Sequence, residues 1–258
     1  AYNLSDKTLS NKMRFSARMI IAEMLFAMNA TEDAEIIISE MRDVIENFDD
    51  MYLLANYRAY TSRKRIERGD IQTANEWLSL YAIGINEPPF FYRSFQNFTT
   101  IRALIATESM HNAIRLAERM VNLAHSYKRP LDEMEAEMLR SIAHGYDESR
   151  KSAQEHMKAA LLISQQYKYT QIFINHAGDV IPILDAFAKS QSINPDEMIN
   201  TTFLVHLRIL SFTERGKEPR SLVPSRYYPP RIKLCKRQQH VLSLLLQNAR
   251  HTDLPPPL

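Results

Sequence analysis

The feature that most limits the fold of this chain is an alanine that recurs about every forty residues. Ala34, Ala74, Ala113 and Ala153 are separated by 40, 39 and 40 residues. Three or four positions before each alanine stands a Thr, Asp or Ser, whose side-chain oxygen can accept a hydrogen bond from the free N–H groups of a new helix. The pattern predicts helices that begin near residues 32, 71, 110 and 150.

An amphipathic stretch precedes each predicted helix start, with apolar residues at positions i, i+3 and i+4, as in residues 19–26 and 101–105. Two antiparallel helices joined by a tight turn approach most closely near that turn, so a small residue is needed there. One helix pair cannot bury its apolar stripe alone, and neighbouring pairs must stack. We therefore predict an all-α protein, a right-handed superhelix of stacked antiparallel helix pairs.

Glycine and cysteine usage agree with a helical intracellular protein. The 5 glycines among 258 residues are about 2%, against roughly 7% in typical proteins, and strand-rich folds need glycine at turns and bulges. A single cysteine, Cys235, cannot form an intramolecular disulfide, which favours a reducing compartment. No stretch approaches the ~20 apolar residues of a membrane helix, and no signal peptide is evident. We expect a cytoplasmic protein without a membrane partner.

The charge is distributed unevenly along the chain. Residues 1–206 hold 22 Lys and Arg against 27 Asp and Glu, a net charge of −5, whereas residues 207–258 hold 10 against 3, a net charge of +7. A basic stretch behind an acidic body indicates a polyanionic partner, and a solvated basic linker without such a partner is an equal alternative. Prolines and like charges predict an extended linker over residues 214–230.

The second repeat carries the most specific motif. Gly69 and Asp70, followed by Ala74, match the glycine–aspartate turn and alanine of tetratricopeptide repeats. Glu108 and Glu148 replace the turn glycine in the third and fourth repeats. Repeats near 39 residues exceed the standard 34, so longer helices are expected. The single tryptophan, which follows in the second repeat at position 77, is expected in the core.

Three segments resemble one protein family. They are residues 68–78, with the turn above followed by Trp77; residues 167–184, with Phe173, Gly178 and Leu184; and residues 194–210. Together they are similar to the helical-repeat sensor region of the large ATP-dependent LuxR-type transcription activators, the group that includes the maltose-regulon activator. The resemblance implies a tetratricopeptide-like domain over residues 1–213 that senses a signal.

Residues 234–245 resemble the opening helix of the DNA-binding domain of that family, with Cys235 in place of a threonine and Gln238 in place of an acid. Three prolines at positions 255–257 cannot enter a following helix. We therefore interpret residues 231–258 as a partial start of a helix-turn-helix, without the helix that enters the major groove. The resemblance places three basic residues close to DNA: Lys233, Lys236 and Arg237.

No catalytic constellation has workable spacing. The histidines form no His-Glu-x-x-His pair for zinc, and neither a Gly-x-Ser-x-Gly elbow nor a cysteine placed beside a histidine is present. Glu133, Glu135 and Glu137 fall at a helix start, where the macrodipole favours acids, and are expected to be solvated. We predict no catalytic residue, no metal site and no cofactor in this chain, and therefore no enzyme.

A ligand groove is expected instead, because the first helix of each pair lines the concave face of a tetratricopeptide array. Glu23, Arg63 and Arg102 each stand eleven positions before the alanine of their own repeat, at one inward position. The neighbouring positions hold Asn56, Phe95 and Phe98. Arginine beside exposed aromatic rings suits an anionic, sugar-like or peptide ligand. Ordinary surface arginines beside partly buried phenylalanines are the alternative.

Two functions remain. The first is a sensor domain of a LuxR-type transcription regulator, which binds a small effector or a peptide or protein partner and controls an attached DNA-binding domain. Contact with DNA would then run through a domain largely missing from this chain, and oligomerisation on activation is compatible with this interpretation. The alternative is a free-standing tetratricopeptide scaffold that binds a peptide or protein partner.

Overall fold

The computed structural model of the chain describes residues 10–28, 30–46, 51–82, 87–193, 198–215 and 221–223. Within these residues the chain forms eleven α-helices and one short 3₁₀ helix, at Phe91–Arg93, and no strand. No helix in this part of the chain is both long and apolar enough to cross a membrane. The helices are α1 (Asn11–Ala27), α2 (Thr31–Glu46), α3 (Met51–Glu67), α4 (Ile71–Leu80), α5 (Ser94–Ala106), α6 (Met110–Ser126), α7 (Pro130–Tyr146), α8 (Arg150–Tyr167), α9 (Gln171–Asn175), α10 (Ala177–Ile193) and α11 (Thr201–Arg215).

The first eight helices form four successive pairs. The second helix of each pair begins at Thr31, Ile71, Met110 or Arg150, so the predicted helix starts are confirmed. Each helix packs against its pair partner, and the first helices α3, α5 and α7 also pack side by side. Helix α10 packs on α7, α8 and α11 and closes the array. The predicted all-α stack of helix pairs is confirmed.

The four recurrent alanines are all buried in the array. Ala34, Ala74 and Ala113 have no exposed surface, and Ala153 is 2% exposed. At the fourth pair the hydroxyl of Ser141 on α7 donates to the carbonyl of Ala153 on α8, at 2.7 Å. A side-chain atom of one helix can reach the backbone of the next only because the residue at the contact is small.

Five of the described turns between helices share one backbone conformation. One residue in each of these turns has a left-handed backbone conformation: Gly69 (φ 85°), Glu108 (φ 58°), Lys128 (φ 53°), Glu148 (φ 60°) and Lys168 (φ 54°). The next N–H then bonds to the carbonyl five residues earlier, for example from residue 109 to residue 104 at 2.8 Å. The third and fourth repeats therefore keep the turn although glutamate replaces glycine there.

The buried apolar side chains of the described residues form two clusters. A small cluster holds the first pair together and extends to Leu53 and Tyr60 on α3. A larger cluster begins at Ala59 on α3 and continues through the remaining helices to Val223. Phe95 packs against both clusters. Helix α3 is thus the boundary between two cores.

The single tryptophan belongs to the larger core, as expected. Trp77 is 2% exposed, and its indole N–H donates to the hydroxyl of Thr100 at 3.0 Å. Part of the predicted linker is also buried: residues 221–223 lie against the array, and Leu222 and Val223 join the larger core. The rest of the predicted linker beyond α11, and the predicted start of the helix-turn-helix, lie outside the described residues.

Candidate functional site

A cavity of about 410 Å³ opens at the boundary between the two cores. The first helices of three successive pairs form it, namely α1, α3 and the start of α5. This volume lies within the roughly 300–1,000 Å³ of small-molecule pockets, so the cavity can take a ligand of small-effector size. Its lining residues are Lys12, Phe15, Ser16, Met19, Tyr52, Leu53, Asn56 and Phe95.

The repeat explains which side chains meet in this cavity. Ser16, Asn56 and Phe95 each stand 18 positions before the alanine of their own pair, and Lys12 and Tyr52 each stand 22 positions before it. Residues with the same offset on stacked helices point to the same side of the array. The cavity is therefore a section of the face that the first helices of the pairs form, the one expected to be the inner face.

The lining combines an apolar surface with a few polar groups. Asn56 presents its amide, because Gln96 Nε2 donates to Asn56 Oδ1 at 2.9 Å and leaves the NH₂ group of Asn56 as the donor toward a ligand. Lys12, which is exposed, adds a positive charge to the lining, and none of the eight lining residues is acidic. This surface favours an anionic or neutral polar ligand with an apolar part over a cation.

A buried ion network begins directly beside the cavity, at Phe95. The guanidinium carbon of Arg63 lies 5.5 Å from the centre of the Phe95 ring, within cation–π distance. Arg63 Nε donates to Glu67 Oε1 at 2.9 Å, and Arg63 Nη1 lies 3.0 Å from Glu135 Oε1. One side chain therefore contacts both the cavity wall and the network.

Glu67 on α3 is the centre of the network. Besides Arg63, its carboxylate accepts from Arg102 Nε at 3.0 Å and lies 3.7 Å from Lys64 Nζ. Lys64 in turn reaches Glu23 on α1 at 2.7 Å. The side chain of Glu67 is 6% exposed and that of Arg102 is 0% exposed, so these charges have left water and depend on one another.

Arg102 carries the network into the later helices. Its Nη2 lies 2.8 Å from Glu135 Oε1 on α7, and its Nη1 donates to the carbonyl of Phe98 at 3.1 Å. The same guanidinium contacts His176 Nε2 at 3.0 Å, in the bend between α9 and α10. The three cations of the network, Arg63, Lys64 and Arg102, balance its three carboxylates, Glu23, Glu67 and Glu135.

The pKa shifts follow from this arrangement. Burial alone would raise the pKa of Glu67, but Lys64 and Arg63 outweigh it and hold that pKa well below its ordinary value. Burial is outweighed at Glu135 as well, where Arg63 and Arg102 lower the pKa. Burial, and then the charge of Arg102, lower the pKa of His176. At neutral pH both carboxylates are therefore ionised, and the neutral His176 ring can accept from Arg102 through Nε2.

The site residues expected from the sequence fall into two groups. Asn56 and Phe95 line the cavity. Glu23, Arg63 and Arg102 converge in the ion network, with Glu23 joined through Lys64. A ligand-binding role for any of them stays a prediction.

Two of these residues are not where the sequence suggested. Arg102 and Phe98 were expected on an open groove, and that exposure is wrong, since they are 0% and 3% exposed. Arg102 can be buried because Glu67, Glu135 and His176 supply opposite charge and acceptors around its guanidinium.

Glu135 is the residue that the sequence analysis most clearly misjudged. It was expected to be solvated with Glu133 and Glu137, but Glu135 is 14% exposed within the network, and Glu137 is 9% exposed with its carboxylate 2.8 Å from His156 Nδ1. Only the first turn of α7 offers macrodipole stabilisation in water, and both residues lie beyond its start. The available signal was the offset of 18 positions before the alanine, which Glu135 shares with Asn56.

Four further residues had no sequence signal of this kind: Lys64, Glu67, His176 and Asp179. Their roles depend on helices that are distant in the sequence. The three basic residues expected close to DNA, Lys233, Lys236 and Arg237, lie outside the described residues, as does Cys235.

Comparison with known protein families identifies the helical array. The sequence matches the family described as "MalT-like TPR region" over residues 1–190, well over half of the chain. Comparisons with curated proteins and with solved structures gave no significant match. The matched residues include the cavity and the ion network, and they confirm the resemblance inferred for the helical-repeat region. The chain therefore belongs to the family of MalT-like TPR regions.

Proposed function

We propose that this chain is the sensor region of a LuxR-type transcription regulator, in which the cavity between α1, α3 and α5 binds a small effector. Binding would change the helical array and thereby control a DNA-binding domain joined through the basic C-terminal stretch. The chain would act by binding alone, without a reaction or a cofactor of its own. The observation that carries the proposal is a cavity of effector size on the inner face of a MalT-like helical array.

The position of the cavity supports a sensing role. Its walls come from both hydrophobic cores, because Phe15 belongs to the small cluster while Phe95 packs against both. A ligand in this position would bridge the first helix pair to the rest of the array. A ligand that binds only the bridged arrangement shifts the population toward it by its differential affinity.

A specific observation also favours the alternative, a scaffold for a protein partner. An aromatic patch made of Phe90, Phe91, Tyr92 and Tyr127 is about half exposed, and its rings contact one another at centroid distances of 5.2–6.0 Å, with Phe90 stacked on Tyr92 and Phe91 edge-on to Tyr92. Clustered exposed aromatic rings are typical of protein interfaces. The patch shares no residue with the lining of the cavity, so the two functions can be tested with separate variants.

The first experiment is a thermal-shift screen of sugars, nucleotides and short peptides against the folded chain, since a ligand of the native state raises its stability. Calorimetric titration of any hit follows, with Asn56→Ala as the test and Asn75→Ala as the matched control on the outer helix α4. Removing a hydrogen-bond donor from a buried ligand contact costs about 1–3 kcal/mol. We expect at least about fivefold weaker binding for Asn56→Ala, the lower end of that cost, and no change for Asn75→Ala.

Two outcomes would contradict the proposal. Equal weakening, or none, in both asparagine variants would exclude the cavity as the effector site. A genomic reading frame without a helix-turn-helix after this region, and without a nucleotide-binding domain before it, would exclude the regulator. In that case Phe91→Ala and Tyr127→Ala should abolish capture of a protein partner if the scaffold function is correct.

A further inference from the structure

One buried carboxylate holds residues 221–223 against the helical array. Asp179, near the start of α10, accepts from the hydroxyl of Tyr146 at 2.5 Å and from the hydroxyl of Ser221 at 2.7 Å. The backbone N–H of Leu222 also donates to Asp179, at 3.1 Å to Oδ2. The side chain of Asp179 is 1% exposed. A carboxylate removed from water needs such donors, and two of the three belong to residues 221–223.

Apolar contacts hold the same three residues, which we call the docked segment. Leu222 is 0% and Val223 is 1% exposed, and both belong to the larger core together with Leu184 and Phe187 of α10. Ser221 Oγ also accepts from the backbone N–H of Val223 at 3.3 Å, which closes a tight local turn. The docked segment therefore fills a site on the array with both its backbone and its side chains.

The site of the docked segment is continuous with the ion network beside the cavity. His176 Nε2 contacts Arg102, and His176 Nδ1 on the other side of the ring lies 4.0 Å from Asp179 Oδ2. From the cavity wall the contacts thus run through Phe95 and Arg63 to Glu67, then through Arg102 and His176 to Asp179. A displacement of Arg102 would change the charge and the hydrogen-bond environment that His176 presents to Asp179.

These contacts define a docked state, and a released state would differ from it in the partners of Asp179 and in the burial of two apolar side chains. When it is docked, Asp179 has three hydrogen-bond donors and two apolar side chains are buried. When it is released, Asp179 keeps only Tyr146 and must take up water instead. A change in the network that moved His176 would alter the electrostatic environment of Asp179, and with it the balance between a carboxylate bonded to the docked segment and a hydrated one.

We propose that the docked segment is an internal ligand of the helical array, held by Asp179 and Tyr146, and that its release is the step that passes a change in the array to the basic residues that follow. This inference rests on the proposed sensor function, since it supplies the output of that sensor. Docking fixes the point at which the basic C-terminal stretch leaves the array, and release frees it. An attached domain would be restrained in the first state and free to reorient in the second.

Limited trypsin digestion of the full chain tests this proposal, because Arg220 immediately precedes the docked segment. A protease must bind several residues in extended form, so docking should protect the bond between Arg220 and Ser221. We expect cleavage there to be at least tenfold slower than in a synthetic peptide of residues 216–226. Asp179→Asn should accelerate it at least tenfold, as followed by mass spectrometry of fragments that begin at Ser221.

The matched control is Asp185→Asn, the same change on the same helix. Asp185 accepts a hydrogen bond from Arg208 Nε on α11 at 2.9 Å. This variant should leave the cleavage rate after Arg220 unchanged. Equal rates in the wild type and Asp179→Asn, with the same fluorescence from Trp77, would overturn the proposal, as would equal acceleration in both aspartate variants.

A second variant decides the matter if Asp179→Asn unfolds the whole array, which red-shifted fluorescence of Trp77 would reveal. Leu222→Asp changes only the docked segment, so the array should stay folded while cleavage after Arg220 rises at least tenfold. An unchanged rate in Leu222→Asp would also overturn the proposal. The digestion requires neither an effector nor DNA. Its result therefore tests the docked segment alone, and the proposal of an effector site is refuted or supported by the binding experiments.

Discussion

Removal of the charge at the centre of the ion network should destabilise the array strongly. Glu67→Gln keeps the size of the side chain but leaves Arg63, Lys64 and Arg102 facing a neutral amide. Two charge-assisted hydrogen bonds, at 2.9 Å from Arg63 and 3.0 Å from Arg102, lose their ionised acceptor. Arg102 is 0% exposed and cannot turn to water for compensation.

The magnitude follows from burial. A hydrogen bond to a charged group contributes about 1.5–3 kcal/mol, and removing one partner of a buried ion pair costs about 3–5 kcal/mol. We expect Glu67→Gln to lower the free energy of unfolding by about 3–5 kcal/mol. For a chain of this size that corresponds to a melting temperature lower by roughly 6–20 °C. Arg102→Met should lower the free energy of unfolding by a similar amount. The double variant should lose about 1 kcal/mol or more less than the sum of the two single losses, since both changes remove the same interaction.

Urea unfolding followed by tryptophan fluorescence and by far-ultraviolet circular dichroism measures these values. The chain has one tryptophan, Trp77, which is 2% exposed on the helix that follows Glu67. Its emission therefore reports the part of the array that contains the network. Circular dichroism reports the remaining helices and shows whether the array unfolds as one unit.

A surface ion pair provides the control. Arg65 lies 2.7 Å from Asp70, but its side chain is 61% exposed, and such pairs contribute about 0–1 kcal/mol. Arg65→Met should therefore change the free energy of unfolding by less than about 1 kcal/mol. If Glu67→Gln costs no more than Arg65→Met, the network does not stabilise the array and the reasoning is refuted.

Three further predictions follow from single features. The folded-state pKa of Glu67 is depressed, so the stability that this carboxylate contributes is present above the ordinary carboxyl pKa and is lost as the pH falls through the folded value. The urea midpoint of the wild type should therefore fall more steeply than that of Glu67→Gln from about pH 5 toward pH 3. Glu108→Gly and Glu148→Gly should each raise the free energy of unfolding by about 0.5–1 kcal/mol, because the strain of a non-glycine residue in the left-handed backbone conformation exceeds the entropic cost of glycine. Gly69→Ala should lower the free energy of unfolding for the same reason, and urea titration distinguishes the signs. Ala74→Leu should cost at least about 1–3 kcal/mol by thermal melting, since Ala74 has no exposed surface, and an unchanged melting temperature would contradict the close contact between α3 and α4.

The helical architecture could be predicted from local sequence alone. The recurrent alanines and the capping residues before them gave helix starts within one residue of Thr31, Ile71, Met110 and Arg150. Both signals act over a few residues, because a cap bonds to the next turn and a small residue marks the contact beside the turn. The repeat offset also brought Asn56 and Phe95 to one inner face, where both line the cavity.

The environment of the inner-face charges could not be predicted in this way. The repeat offset placed Arg102 on an open groove, and the position of Glu135 at a helix start predicted a solvated side chain, but both residues lie in a buried network. The partners of Arg102, Glu67 and His176, are 35 and 74 residues away in the sequence. No local period records such a pairing.

The sequence by itself determined where the helices begin, which small residues are buried within the pairs and which residues of the first helices share one face. The tertiary structure decided which of the inward charges leave water, and it alone joined Asp179 to residues 221–223, 42 and 43 residues further along the chain. The physical reason is that burial of a charge is favourable only when opposite charges and donors from distant helices meet it. That condition depends on how the pairs stack, and stacking is a property of the whole array.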